Sequence, residues 1–196
     1  MKKWVWGGLV MAALCAFSFF GACDFFEPEQ KTERQSYEKE EVVVELPANE
    51  RKRVLILHSY HPEYTWVSDI NHGIIRGLKE ERFYPGKTVE IEYFYMDTKR
   101  KSSEQWKLEV SEKALDRIKA WKPDVVLAAD DNAQAYVVSK MKDSETPFVF
   151  LGVNADPRKY GYVEDLDSPG HNVTGCIERE RFDGSMKVLR RMVPGV

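Results

Sequence analysis

The sequence predicts an α/β protein: an open parallel sheet with helices on both faces. Three observations predict it. Short, fully apolar, β-branched runs recur at Val54–Leu57, Val125–Ala129 and Phe148–Val153, as strands buried on both faces require. Stretches with helical spacing of apolar residues separate them, and that alternation leads to right-handed crossovers and a parallel sheet. Each run stops in a polar cluster on the same side: Ser59-Tyr60-His61, Asp130-Asp131-Asn132 and Asn154-Ala155-Asp156. Polar residues gathered at the carboxyl ends of parallel strands are what a binding cleft needs.

Taken in order, the first 22 residues read as a signal peptide. Met1-Lys2-Lys3 is basic and Trp4 to Ala22 is almost entirely apolar, which is a charged n-region followed by an h-region. Small residues before Cys23 resemble a bacterial lipobox, with Phe20 standing where Leu is usual; Cys23 is then the lipidated residue. The other reading of this stretch is an uncleaved anchor, since about 19 apolar residues can just span a bilayer. Both leave the rest of the chain outside the cytoplasmic membrane, because Lys2 and Lys3 stay inside. Residues 23–52 are rich in Glu, Lys, Gln and Arg, with Pro28 and Pro47 interrupting. They read as a flexible charged tether with a reach of roughly 30 Å. Val42-Val43-Val44 within it has the character to pair with a sheet edge.

The opening strand begins at Arg53. A helix over Thr65 to Glu81 follows, with Ile70, Ile74, Ile75 and Leu78 on one face and Thr65 or Ser68 as cap. Tyr84-Pro85-Gly86 is a turn. Thr88 to Met96 is a strand with Val89, Ile91, Tyr93 and Tyr95 on one side, closing in the loop Asp97-Thr98-Lys99-Arg100. Ser102 to Trp121 is a helix whose stripe is Leu108, Ser111, Leu115, Ile118 and Trp121, with Ser102 or Ser103 as N-cap. Asp124 to Ala129 is a strand, Ala133 to Met141 a short helix, and Pro147 to Val153 a strand. Tyr160 to Gly170 reads as loop, Asn172 to Ile177 as a strand, and Phe182 to Met192 as an amphipathic helix carrying Met186, Leu189 and Met192.

Composition excludes several classes. The net charge of −3 speaks against nucleic-acid binding. Of the cysteines Cys15, Cys23 and Cys176, only the last falls in the folded part, so neither a disulfide framework nor a cysteine zinc site is expected. His58, His61 and His72 lack a completing carboxylate or cysteine nearby in sequence, and no metal or cofactor is expected. His58 reads as a satisfied rim residue. Ser59 stands in no Gly-x-Ser-x-Gly turn.

The segments Val-Leu-Ile-Leu-His-Ser-Tyr-His-Pro, Asp-Val-Val-Leu-Ala-Ala-Asp-Asp-Asn-Ala, Pro-Phe-Val-Phe-Leu-Gly-Val-Asn-Ala-Asp-Pro and Asn-Val-Thr-Gly resemble the ABC-transporter substrate-binding lipoproteins. The likeness runs from about Arg53 to Val196. It implies a type I periplasmic-binding-protein fold, each lobe flavodoxin-like, with two lobes joined by a hinge and ligand held between them. Residues 53–175 are then the first ligand-binding lobe, and 176–196 the hinge crossing and the start of an incomplete second lobe. The implied function is an extracytoplasmic solute-binding lipoprotein, not an enzyme, that hands a small ligand to an ABC permease. Similar segments occur in extracellular sensor regions of bacterial signalling receptors, so a ligand-sensing component is the alternative. A hydrolase working through Asp130 or His58 is a third.

The candidate ligand-binding residues are Ser59, Tyr60, Trp66, Asp130, Asp131, Asn132, Asn154 and Asp156. Asn154 and Asp156, with Pro157, carry over from the resemblance as rim residues. Of Asp130 and Asp131, one is expected to accept from a ligand ammonium and the other to cap the helix at Asn132. Tyr60 and Trp66 can stack on a flat ligand or pack the loop against its own helix. Helix starts after Tyr60, Asp131 and Asn154 aim amides at the cleft. Amides and carboxylates together fit a zwitterion such as an amino acid.

Overall fold

The computed structural model describes residues 43–178 and 182–193. The signal segment, Cys23 and most of the expected tether lie outside the described residues. Five strands, all parallel, form one sheet in the order β2-β1-β3-β4-β5. They are β1 Lys52–His58, β2 Val89–Tyr95, β3 Val125–Ala129, β4 Phe148–Val153 and β5 Val173–Ile177. The helices are α1 Thr65–Glu80, α2 Glu104–Trp121, α3 over 131–141, and α4 Phe182–Met192; α3 carries a π-helical stretch at Gln134–Val138.

Burial explains the layers. The central strands alternate their apolar residues between two cores. One face sets Leu55, Leu57, Val126, Ala128 and Phe150 against α2 and α3. The other sets Val54, Ile56, Val125, Leu127 and Leu151 against α1. Every residue of β3 and β4 is buried, the sign of strands covered on both sides. The registers His58 opposite Tyr95 and Ala129, and Ala129 opposite Leu151, put the carboxyl ends of β1 to β4 level.

Three local readings are corrected. The N-cap of α1 is Tyr64, which makes no side-chain capping bond, rather than Thr65 or Ser68. The buried stripe of α2 is Val110, Ser111, Ala114, Leu115 and Ile118, whereas Leu108 is 48% exposed. At 100° per residue Leu108 falls at the edge of that stripe and Ala114 near its centre. Ser103 is its N-cap, accepting from Trp106 N at 3.3 Å. Val43 and Val44 form no strand. Leu46 N instead donates to Lys87 O at 2.9 Å, and Arg51 Nε donates to Leu46 O at 2.8 Å, so the end of the expected tether rests beside the start of β2. The final helix is present, but none of its residues is buried. No helix among the described residues is long and apolar enough to cross a membrane.

Candidate functional site

The level strand ends bring the polar clusters together. Ser59 is fully buried just past β1. Its hydroxyl donates to Ala129 O and accepts from Ala133 N, both at 2.8 Å. It thereby clasps β1, β3 and the start of α3 from beneath. Asn132 also turns inward: its Nδ2 donates to Thr98 Oγ1 at 2.9 Å, and Thr98 Oγ1 donates to Ser59 O at 2.6 Å. Ser59 and Asn132 thus hold the rim in shape.

The face of the rim belongs to Tyr60, Asp130, Asp131, Asn154 and Tyr160. Asp130 is 3% exposed and has φ 70° and ψ 165°, a conformation that glycine favours and other residues adopt at a cost. Its carboxylate accepts from Asp131 N at 2.6 Å and from the Tyr60 hydroxyl. Burial pushes the Asp130 carboxyl above its usual range, against the opposing pull of those bonds and of Lys99. Burial and Asp130 together push the Tyr60 phenol up. The Tyr60 phenol thus keeps its proton and donates it to Asp130.

Asp130, not Asp131, is the cap of α3. Asp131 reaches across to the loop after β4. Its Oδ1 accepts from the Tyr160 hydroxyl at 2.5 Å and from Ala155 N at 3.2 Å, and its Oδ2 takes both Asn154 nitrogens at 3.4 Å. Burial and Asp131 push the Tyr160 phenol up. Asp156 is exposed and closes its own turn, accepting from Arg158 N at 3.0 Å and pairing with the Arg158 guanidinium, which holds its carboxyl at about 2. The expected helix start after Asn154 is a four-residue 3-10 turn, Pro157–Tyr160, too short to aim a dipole.

Trp66 packs rather than presents. A Cβ built on Gly152 would lie 2.4 Å from its Cζ2, so the indole rests on the β4 backbone where Gly152 leaves room; it also packs against the core on the α1 side and meets Tyr60 edge-on at 5.9 Å. His58 is fully buried and not a rim residue. Its Nε2 lies 2.8 Å from Asn71 Oδ1 and its ring stacks on Tyr95; burial lowers its pKa. Among the described residues no group of three or more His, Cys, Asp or Glu is placed to hold a metal.

The sequence reading missed Tyr64, Lys99 and Tyr160 as parts of this cluster. Lys99 Nζ donates to the Tyr64 hydroxyl at 3.0 Å and lies 4.2 Å from the Tyr64 ring and 4.8 Å from the Tyr60 ring. No local pattern marks them; each arrives from a different loop. A cavity of about 750 Å³ lies elsewhere, between α1 and the edge strand β2, lined by Asn71, His72, Arg76, Lys79 and Tyr93 among others.

Solved structures share this fold. The crystal structure of a conserved domain protein from Vibrio cholerae has a TM-score of 0.58 and 22% identity, over 74% of this chain and 45% of that one. The ligand-free, open structure of CD0873, a substrate binding protein with adhesive properties from Clostridium difficile, has a TM-score of 0.58 and 19% identity, over 74% of this chain and 44% of that one. The chain therefore spans less than half the length of these structures. No curated protein matches it. The family model described as ABC transporter substrate binding protein matches residues 63–196. That span takes in α1, every strand after β1, and every rim residue named above except Ser59 and Tyr60: the chain belongs to the ABC transporter substrate binding protein family.

Proposed function

We propose that this chain is the first lobe of an extracytoplasmic solute-binding lipoprotein that captures a small zwitterion, an amino acid, and delivers it to an ABC permease. Residues 1–22 serve as signal peptide, Cys23 as the lipid anchor and the segment to residue 52 as tether. Residues 53–175 form the lobe, and 176–196 begin the crossing to a second one. Binding bridges the two lobes and shifts the population toward the closed form. The family, a class of binding proteins and not of enzymes, supports this reading.

The observation that carries it is the single cluster in which Tyr60 meets Asp130, and Asp131 meets Asn154 and Tyr160. Three loops from three strands converge there. Its carboxylates suit an ammonium, and Asn154 and the ring faces suit the remainder of an amino acid. The test is calorimetric titration of the full natural protein with aromatic and branched L-amino acids. Binding is expected, and Asp131→Ala is expected to weaken it by about tenfold or more, as loss of a charged hydrogen-bond acceptor does. No heat from any of these amino acids would overturn the proposal.

A further inference from the structure

Lys99 springs from a fixed backbone. Thr98 beside it is buried and tied twice to Ser59 O, by its N at 2.9 Å and its Oγ1 at 2.6 Å. Lys101 N closes the turn onto Asp97 O at 3.0 Å. The neighbouring cation, Arg100, is neutralised by Asp97 at 2.7 Å and Glu63 at 3.4 Å. Lys99 is held differently. Its Nζ meets the Tyr64 hydroxyl and the faces of Tyr64 and Tyr60, and no described carboxylate forms an ion pair with it. An ammonium over ring faces is positioned by cation–π attraction, and its charge reaches Asp130 only as an attraction at longer range.

Tyr60 links this cation to the acid side of the rim. Its ring face holds Lys99 while its hydroxyl donates to Asp130. Among the described residues the Asp130 carboxylate accepts from Asp131 N and Tyr60, so lone pairs remain on its two oxygens. The rim thus sets a positive group over the ring of one tyrosine and a negative group at its hydroxyl. Resting on the amino-acid reading above, we propose that Lys99 pairs with the carboxylate of the ligand while Asp130 takes its ammonium, so that Lys99 is the residue that selects zwitterions over simple amines.

Matched ligands separate the two halves of this recognition. The full natural protein is titrated with L-phenylalanine and phenethylamine, and with L-leucine and 3-methylbutylamine. Each amine lacks only the carboxylate. The natural protein is expected to favour each amino acid over its amine by about tenfold or more, the scale of one charge-assisted bond in a cleft. Lys99→Met keeps an apolar stem over the rings. It is expected to reduce that preference to about twofold or less, and Lys99→Arg should retain the preference. If Lys99→Met folds, by its circular dichroism, and keeps the full preference for amino acid over amine, the assignment of Lys99 is wrong while the amino-acid reading stands. If the natural protein binds none of the four compounds, the amino-acid reading itself falls and the role of Lys99 falls with it.

Discussion

At the amino ends of β1 and β3, Asp124 accepts from Arg53 N at 2.8 Å and pairs with Lys52 at 3.3 Å, while Arg53 Nη1 donates to Trp121 O at 2.6 Å. At the carboxyl ends of the same strands, Asp130 sits buried on a left-handed backbone with its charge disfavoured. Five residues, the whole of β3, separate the two aspartates. The first is partly exposed, in an ordinary conformation and matched to one cation and one backbone amide. The second is desolvated, conformationally costly and answered chiefly by a phenol and an amide. A carboxylate kept where it costs stability, against one kept where it adds stability, supports the proposed binding role of the carboxyl end.

The comparison breaks first if the carboxyl end tolerates bulk. Gly152→Ala forces a Cβ into the Trp66 indole, 2.4 Å from Cζ2 and 2.8 Å from Cη2, at a positive φ. The expected cost is about 2–3 kcal/mol in urea unfolding. Part of that cost is steric, so Gly152→Ala combined with Trp66→Ala should cost less than the sum of the two single changes. Strict additivity would mean that the indole does not occupy the space that Gly152 leaves.

How much of this was legible beforehand follows from what carries each feature. The three buried strands and their order in the chain were readable because an all-apolar run has one comfortable place, the middle of a two-sided sheet. The gathering of Tyr60, Asp131 and Asn154 on one edge followed from parallel topology alone. What was not legible depends on contacts between loops distant in sequence. Asp130 and Asp131 are neighbours, yet one caps α3 and the other bridges to Tyr160, 29 residues on. Trp66 was open to stacking or packing until Gly152 was seen to vacate its seat. His58 looked like rim because it follows the apolar run; the two-residue alternation carries it inward with Val54 and Ile56, toward Asn71 of α1. Lys99 read either as solvated surface or as a contact for a partner lobe, since nothing in its own segment announces Tyr60 and Tyr64.

At the amino end, the prediction is a plain loss of stability without loss of ligand. Asp124→Ala leaves Arg53 N without its acceptor and removes the Lys52 pair. The site is partly exposed, so water recovers some of the loss, and the expected cost is about 1–2 kcal/mol. Amino-acid affinity should not change, because Asp124 lies at the far end of β3 from Asp130. A fall in affinity matching that of Asp131→Ala would erase the functional distinction between the two ends.

The smallest effect is the one with an unusual sign. Burial holds the Asp130 carboxyl above its ordinary value in the fold. Between the ordinary value and the folded one, the native state binds more protons than the unfolded chain, so the contribution of this group to stability falls as pH rises through the folded value. At neutral pH the ionised Asp130 is therefore a net cost. Asn cannot ionise, keeps an oxygen for Asp131 N and the Tyr60 hydroxyl, and is among the residues most tolerant of positive φ. Asp130→Asn should raise the urea midpoint at pH 7, and the gain should shrink as pH falls toward 4, where the natural carboxyl gains its proton. Amino-acid binding should weaken in the same variant, since the ammonium loses its charged partner. A lower midpoint at pH 7, or a gain that persists unchanged at pH 4, would show that Asp130 is held by ordinary structural pairing, and the two ends of the sheet would then be alike.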